Sequence, residues 1–192
     1  MKTVGFMIVG VGGQGSLLAS RLLGQVLLQT GKEVKVSEVH GMSQRGGSVV
    51  TYVKYGDAVY SPIIKEGEAD YIISFEKLEA ARYAHCLKKD GQIVVNSREI
   101  DPMPVIIGAA EYPHDVLDKL TEQGLKVDAI DALTLAEEAG TSKAVNIVLM
   151  GRLSRYFDLD VEEWMKAIDT VVAEKFREVN KKAFMLGRNF EE

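Results

Sequence analysis

A single cysteine, Cys86, stands in the whole chain, and that scarcity excludes several chemistries. It can form no intrachain disulfide, and it falls far short of the set that holds an iron–sulfur cluster or a structural zinc. Any redox metal that serves this protein is therefore expected in another chain. Histidine is equally thin: His40, His85 and His114 are widely spaced and lie in no metal-ligand pattern. No run of about 18 uninterrupted apolar residues occurs, so no membrane span is expected. The opening Met1-Lys2-Thr3 leads into a strand pattern without a secretory leader of about 15 to 30 residues, and a cytoplasmic location is expected. Basic residues are scattered and the net charge is −5, which argues against nucleic acid as a partner.

What the chain does have is a regular alternation of apolar runs and helical patterns. With 192 residues, 46% hydrophobic and 27% charged, it can bury a real core but has room for one domain, 1–192. Val4 to Val9 reads as the first strand, and Leu17, Leu18, Leu22, Leu23, Val26 and Leu27 recur at helical spacing. Gly31-Lys32 ends that helix, and Val34 to Val39 predicts a second strand that completes a right-handed parallel crossover. Ser48 to Tyr55 predicts a strand that stops at Gly56-Asp57 and turns back into Ala58 to Ser61, an antiparallel excursion.

Further strands are expected at Tyr71 to Phe75, Gln92 to Asn96, Val105 to Ile107 and Val127 to Ile130, with helices at Glu76 to Leu87, near Asp115 to Gln123 and at Leu133 to Ala139. Two helices, about Ser142 to Tyr156 and about Val161 to Leu186, close the chain. The second opens with Asp160 as N-cap and Glu163 three residues on, a capping box. Its apolar stripe, including Trp164, Ile168, Val172 and Ala183, is expected to pack on the sheet or on a partner. The fold class that follows is α/β: a Rossmann-like layered sheet, mostly parallel, closed by C-terminal helices over about 142–187.

Two glycine-rich loops concentrate the functional signal. Gly10-Val11-Gly12-Gly13-Gln14-Gly15 joins the first strand to the first helix, where backbone N–H groups can meet a phosphate. Gly10, Gly12 and Gly15 match the dinucleotide fingerprint, and Glu38 follows about 20 residues later, where a carboxylate would accept a hydrogen bond from a ribose hydroxyl. The alternative is structural: the same glycines make a tight turn and let the helix pack close to the sheet. The second loop, from His40 through Gly41-Met42-Ser43-Gln44-Arg45-Gly46-Gly47, is foreign to that fingerprint. It sets a guanidinium among small residues, suited to a phosphate, a carboxylate or a partner surface. The candidate binding residues are thus Gly10, Gly12, Gly13, Gln14, Gly15, Ser43, Gln44, Arg45, Gly46 and Gly47.

No catalytic residue is assigned. His40 and Ser43 suggest no hydrolase, because no Gly-x-Ser-x-Gly elbow is present. His85 and Cys86 end a predicted helix and read as packing residues. Asn96 and Asn146 sit in apolar surroundings and should be hydrogen-bonded, bracing loops or an interface.

Those loops also carry a family resemblance. Gly10 to Gly15 and the stretch Glu38 to Gly47, with Val95-Asn96-Ser97 and Asn146-Ile147-Val148-Leu149-Met150-Gly151 in support, resemble the small, gamma-type subunits of the 2-oxoacid:ferredoxin oxidoreductases, and among them the beta subunits of indolepyruvate ferredoxin oxidoreductases. The resemblance spans most of the chain. It implies an enzyme complex in which an arylpyruvate such as indolepyruvate is oxidatively decarboxylated on thiamine diphosphate, electrons pass through iron–sulfur clusters to ferredoxin, and the acyl group leaves on coenzyme A. It further implies a large partner subunit holding the thiamine diphosphate, magnesium and 4Fe–4S clusters, and an isolated small chain without activity. In agreement, no Gly-Asp-Gly start of a thiamine site occurs here; the nearest sequences are Lys89-Asp90-Gly91 and Gly56-Asp57-Ala58. The glycine loops would then face coenzyme A or dock on the large subunit. Two other readings remain at this stage: an autonomous nicotinamide- or flavin-nucleotide oxidoreductase, and a non-catalytic regulatory or interaction protein.

Overall fold

Phe6 to Val9 are each fully buried, because the first strand has apolar layers on both faces and its side chains alternate between them. This strand, β1 (Thr3–Val11), lies inside a six-stranded sheet with β2 (Glu33–Val39), β3 (Ser48–Gly56), β4 (Ala69–Ser74), β5 (Leu87–Asn96) and β6 (Lys126–Ile130), in the spatial order β2-β3-β1-β4-β5-β6. The computed structural model describes residues 3–39 and 47–191. β1, β4, β5 and β6 pair in parallel, whereas β3 runs antiparallel between β1 and β2.

The helices divide between the faces. α1 (Ser16–Leu28), α5 (Ala132–Ala139), α6 (Val145–Leu153), α7 (Val161–Val171) and α8 (Arg177–Asn189) share a core with Phe6, Ile8, Ile73 and Val94. α2 (Lys77–Tyr83) and α4 (Val116–Glu122) cover the other face, where Met7, Val9, Ile72, Ile93 and Val95 point. The expected α/β layering and C-terminal helical closure are both found.

Five local expectations are corrected. β2 does not pair with β1: the Val- and Tyr-rich β3 inserts between them, in register with β1 from Thr3 against Gly56 to Val11 against Ser48. The excursion also has no return strand at Ala58 to Ser61; the chain there is tied by the Val59 N–H donating to a Glu33 carboxylate oxygen at 2.8 Å, and Pro62, which follows, has no N–H to donate to a ladder. At Val105 to Ile107 the chain forms a short helix, α3 (Met103–Ile106). Pro102 and Pro104 remove two ladder donors, but proline is tolerated in the first turn of a helix.

The last helix is two. After α7 the backbone is extended at Val172 (φ −100°, ψ 133°), a 3-10 turn runs over Glu174–Phe176, and α8 folds back. Arg177 Nε donates to the Val172 carbonyl at 3.2 Å, serving a carbonyl freed at the break. The Asp160 capping box is likewise not formed: its side chain caps nothing, and the Glu163 carboxylate takes Lys166 instead, at 2.5 Å.

The break lets α8 cross α6 with almost no gap. A Cβ placed on Gly151 would fall into the Phe184 carbonyl, and one on Gly187 into the Val148 carbonyl. Glycine is needed at this crossing for space. Below it the buried Arg152 ties α6 to β6, its Nε donating to an Asp128 carboxylate oxygen at 2.5 Å, while the Tyr156 hydroxyl donates to the same oxygen at 2.6 Å. Gly187→Ala should therefore lower unfolding stability by about 2–3 kcal/mol in urea titrations, as overpacking does. Glu178→Ala, whose side chain is 92% exposed, should change it by less than about 0.5 kcal/mol.

Candidate functional site

The strand order turns over between β1 and β4. From β1 the chain crosses through α1 toward the β2 edge, and from β4 it crosses through α2, on the opposite face, to β5. Such a switch point leaves a crevice beyond the carboxyl ends of the strands, the usual place for a ligand in an open α/β sheet. The first glycine loop lies there.

Its side chains are used to build the crevice. Gln14 Oε1 accepts the Val11 N–H at 2.6 Å, and Gln14 Nε2 donates to the Phe75 carbonyl at 3.1 Å, joining the ends of β1 and β4. Asn96 Nδ2 donates to the same Phe75 carbonyl at 3.3 Å, and Asn96 Oδ1 accepts the Ala132 N–H at 3.2 Å, adding β5 and the start of α5. Asn146, at the start of α6, donates through Nδ2 to the Gly15 carbonyl at 3.1 Å. Both asparagines are buried, and both brace loops.

The glycine spacing follows from this construction. A Cβ on Gly10 would sit 2.7 Å from Gln14 Oε1, and one on Gly15 would sit 2.8 Å from Asn146 Nδ2. Gly15 also has φ +85°, a conformation glycine adopts at no steric cost. The Gly12 N–H donates to the Gly47 carbonyl at 2.9 Å, so the first loop touches the exit of the second. Ser48, the next residue, donates to the carboxylate of Glu79, whose burial pushes its carboxyl up from the ordinary range.

Gly10, Gly12, Gly13, Gln14, Gly15 and Gly47 thus converge; His40, Ser43, Gln44, Arg45 and Gly46 lie outside the described residues. Glu38 stands apart. With β3 interposed, its strand is two places from β1, and its Oε1 accepts from Ser20 Oγ at 3.0 Å, facing a separate groove along α1 and β2. The groove it lines holds none of the glycines of the first loop.

Beside the first loop opens a cleft of about 600 Å³. Its wall brings in two cations absent from the candidate residues drawn from sequence, Arg98 and Lys143, together with Ser142 and Ile100. Both cations are exposed, and among the described residues neither has an ion-pair partner. α1 opens at this cleft, and the 3-10 turn Ser142–Ala144 leading into α6 opens across from it. The two cations and the start of α1 give this cleft a positive lining. The available sequence signal was position: Arg98 follows the braced Asn96 closely, and Lys143 precedes the braced Asn146.

Among the described residues no group of three His, Cys, Asp or Glu could hold a metal ion. Cys86 is buried at the amino end of β5, away from the crevice, with its thiol pushed up by burial and its sulfur 3.4 Å from His85 Nε2. A thiol of that kind is a poor metal ligand and nucleophile.

Asn96→Ala removes one partner from Phe75 and leaves the Ala132 N–H buried without one. It should cost about 2–3 kcal/mol in urea unfolding, against less than about 0.5 kcal/mol for Lys143→Ala, which touches no brace. Equal effects would contradict the bracing role.

The model of the pyruvate ferredoxin/flavodoxin oxidoreductase family matches residues 5–190. Indolepyruvate oxidoreductase subunit IorB of Thermococcus kodakarensis is 47% identical to this chain, and that of Pyrococcus horikoshii 46% identical, each alignment covering 97% of this chain and 95% of the relative. Among solved structures, the gamma subunit of a keto/oxoacid ferredoxin oxidoreductase from Geobacter sulfurreducens has a TM-score of 0.74 at 22% identity, covering 98% of this chain and 95% of that one. A 2-oxoglutarate:ferredoxin oxidoreductase from Magnetococcus marinus, with 2-oxoglutarate, coenzyme A and succinyl-CoA bound, gives 0.74 at 18% identity, covering 98% of this chain and 31% of the longer one. These structural likenesses share the fold, and the resemblance carried by the two glycine loops is borne out. With a family match from residue 5 to residue 190 and relatives near half identity along almost their whole length, the chain belongs to the pyruvate ferredoxin/flavodoxin oxidoreductase family.

Proposed function

We propose that this chain is the small subunit of a 2-oxoacid:ferredoxin oxidoreductase acting on arylpyruvates of the indolepyruvate type, and that its cleft holds the phosphate groups of coenzyme A. The observation that carries the subunit reading is the similarity, along nearly full length, to proteins named indolepyruvate oxidoreductase subunit IorB. The coenzyme A reading is supported by Arg98 and Lys143 facing the loop Val11 to Gly15 across one cleft.

The donor set of this chain does not fit an iron–sulfur cluster, since its one cysteine is buried and, among the described residues, belongs to no group of metal ligands. A large partner subunit would hold thiamine diphosphate, magnesium and 4Fe–4S clusters, which would supply the decarboxylation and electron-transfer chemistry. The small subunit contributes binding and orientation. Coenzyme A carries a pyrophosphate and a ribose 3'-phosphate, and a guanidinium and an ammonium lining one cleft can engage both. Arg45, which lies outside the described residues, is the cation that the sequence itself offers for such an anion. The Gln14 amide is committed to Val11 and Phe75, so it acts by holding the loop open. The nucleotide-oxidoreductase reading loses its ribose partner with Glu38 turned toward Ser20. No helix among the described residues is long and apolar enough to cross a membrane.

In the assembled enzyme, Arg98→Ala, Lys143→Ala and Arg45→Ala should each raise the KM for coenzyme A by about tenfold, equivalent to about 1.4 kcal/mol of binding. The KM for the oxoacid should be unchanged. Coenzyme A kinetics unaltered in all three variants would overturn the ligand assignment. Failure of the chain to co-purify with a thiamine-containing subunit would overturn the subunit assignment.

A further inference from the structure

One buried carboxylate behind the cleft has a longer reach than its local task requires. Glu76 follows the end of β4 and is the N-cap of α2, its Oε2 accepting the Glu79 N–H at 3.0 Å. Such caps are ordinarily Ser, Thr, Asp or Asn, whose short side chains turn straight back onto the helix. Glu76 is one methylene longer than aspartate and only 1% exposed, and its other oxygen uses that length. Oε1 accepts the Ile100 N–H at 3.3 Å and the Tyr112 hydroxyl. A carboxylate taken out of water is costly to keep, so one that spans a helix start and a distant strand exit calls for a reason beyond the cap.

What Oε1 holds is the wall of the cleft. Arg98 and Ile100 line it, while Glu99, between them, turns to α2 and accepts from Lys77 Nζ at 2.9 Å, the alternation of an extended chain. The Lys77 N–H donates to the Arg98 carbonyl at 3.1 Å, and the Ser97 N–H donates to the Ile130 carbonyl at 2.9 Å. The backbone that carries Arg98 is thus tied to β6 on one side and to the first turn of α2 on the other. Arg98 is exposed, so the reach of its guanidinium is set by that backbone. Tyr112 is buried, and its hydroxyl is pushed well above the ordinary range by burial and then by the Glu76 carboxylate, which keeps it a donor.

We propose that Glu76 is a positioning residue for coenzyme A: by fastening Ile100 it fixes the backbone from which Arg98 meets the anion in the cleft, a task separate from capping α2. The inference rests on the coenzyme A reading above. Because the two tasks use different oxygens, two substitutions separate them. Glu76→Asp keeps a carboxylate for the Glu79 N–H and is too short for Ile100 and Tyr112. Glu76→Gln keeps the length and offers its single amide oxygen to Ile100 and Tyr112, leaving an NH2 group against the Glu79 N–H, donor against donor.

The test is steady-state kinetics of the enzyme assembled with its large subunit, with urea unfolding of each small-chain variant alongside. Glu76→Asp should raise the KM for coenzyme A by about fivefold and leave kcat and the KM for the oxoacid unchanged. In an Arg98→Ala background the same change should add less than about twofold, since a residue that acts through Arg98 has nothing left to place. Glu76→Gln should keep the coenzyme A KM within about twofold of the unaltered enzyme even as its urea midpoint falls with the lost cap. A coenzyme A KM that follows the urea midpoint through both variants, or a Glu76→Asp effect of full size without Arg98, overturns the inference in favour of a purely structural role. Normal coenzyme A kinetics in Glu76→Asp beside a raised KM in Arg98→Ala overturn it and leave the coenzyme A reading standing. Normal kinetics in Arg98→Ala remove Arg98 from that reading, and the inference falls with it. If Glu76→Asp fails to fold, Tyr112→Phe takes its place, deleting only the hydroxyl that holds Oε1 toward Ile100. It should raise the same KM by at least about twofold, again only where Arg98 is present, and an unchanged KM overturns the inference.

Discussion

One backbone carbonyl, that of Phe75 at the end of β4, receives hydrogen bonds from two side-chain amides, Gln14 and Asn96. Through it the carboxyl ends of β1, β4 and β5 are fixed at the point where the sheet's connections part to opposite faces. Parallel strands that diverge there have no ladder beyond their ends, so the crevice would gape without such a clasp. Each amide also satisfies a backbone N–H, of Val11 or Ala132, that would otherwise be left without a partner. The geometry of the cleft, the placement of α1 and the start of α5 all descend from that junction.

The glycines serve the same junction, which accounts for their spacing by protein side chains alone. In nucleotide-binding sheets the spacing lets a pyrophosphate approach the backbone. Here Gly10 makes room for Gln14 and Gly15 makes room for Asn146, both of them protein side chains. The helix start remains available to an anion from the side of Arg98 and Lys143. A motif that elsewhere admits a cofactor is here filled by side chains that assemble the crevice.

Much of this was legible in the sequence. The apolar runs at Val4 to Val9 and Tyr71 to Phe75 are buried on both faces, so they needed no knowledge of neighbours to be read as strands. What the sequence hid was long-range. Nothing local says that β3 rather than β2 lies beside β1, because register is chosen by pairing across the sheet. The stripe from Trp164 to Ala183 is continuous in period, yet the chain breaks at Val172 so that α8 can reach the glycine crossing on α6. Arg98 and Lys143 are ordinary surface cations in sequence and become a pair only when β5 and the turn before α6 meet at the cleft.

The central claim is that the cleft beside the first glycine loop takes the anionic part of coenzyme A in the assembled enzyme. The most direct measurement is backbone amide exchange of the complex with and without saturating coenzyme A. The account predicts slowed exchange confined to 11–15, 97–100 and 142–145, abolished when desphospho-pantetheine replaces coenzyme A. Protection that leaves those segments unchanged and falls instead on the groove between α1 and β2, or nowhere on this chain, would contradict it.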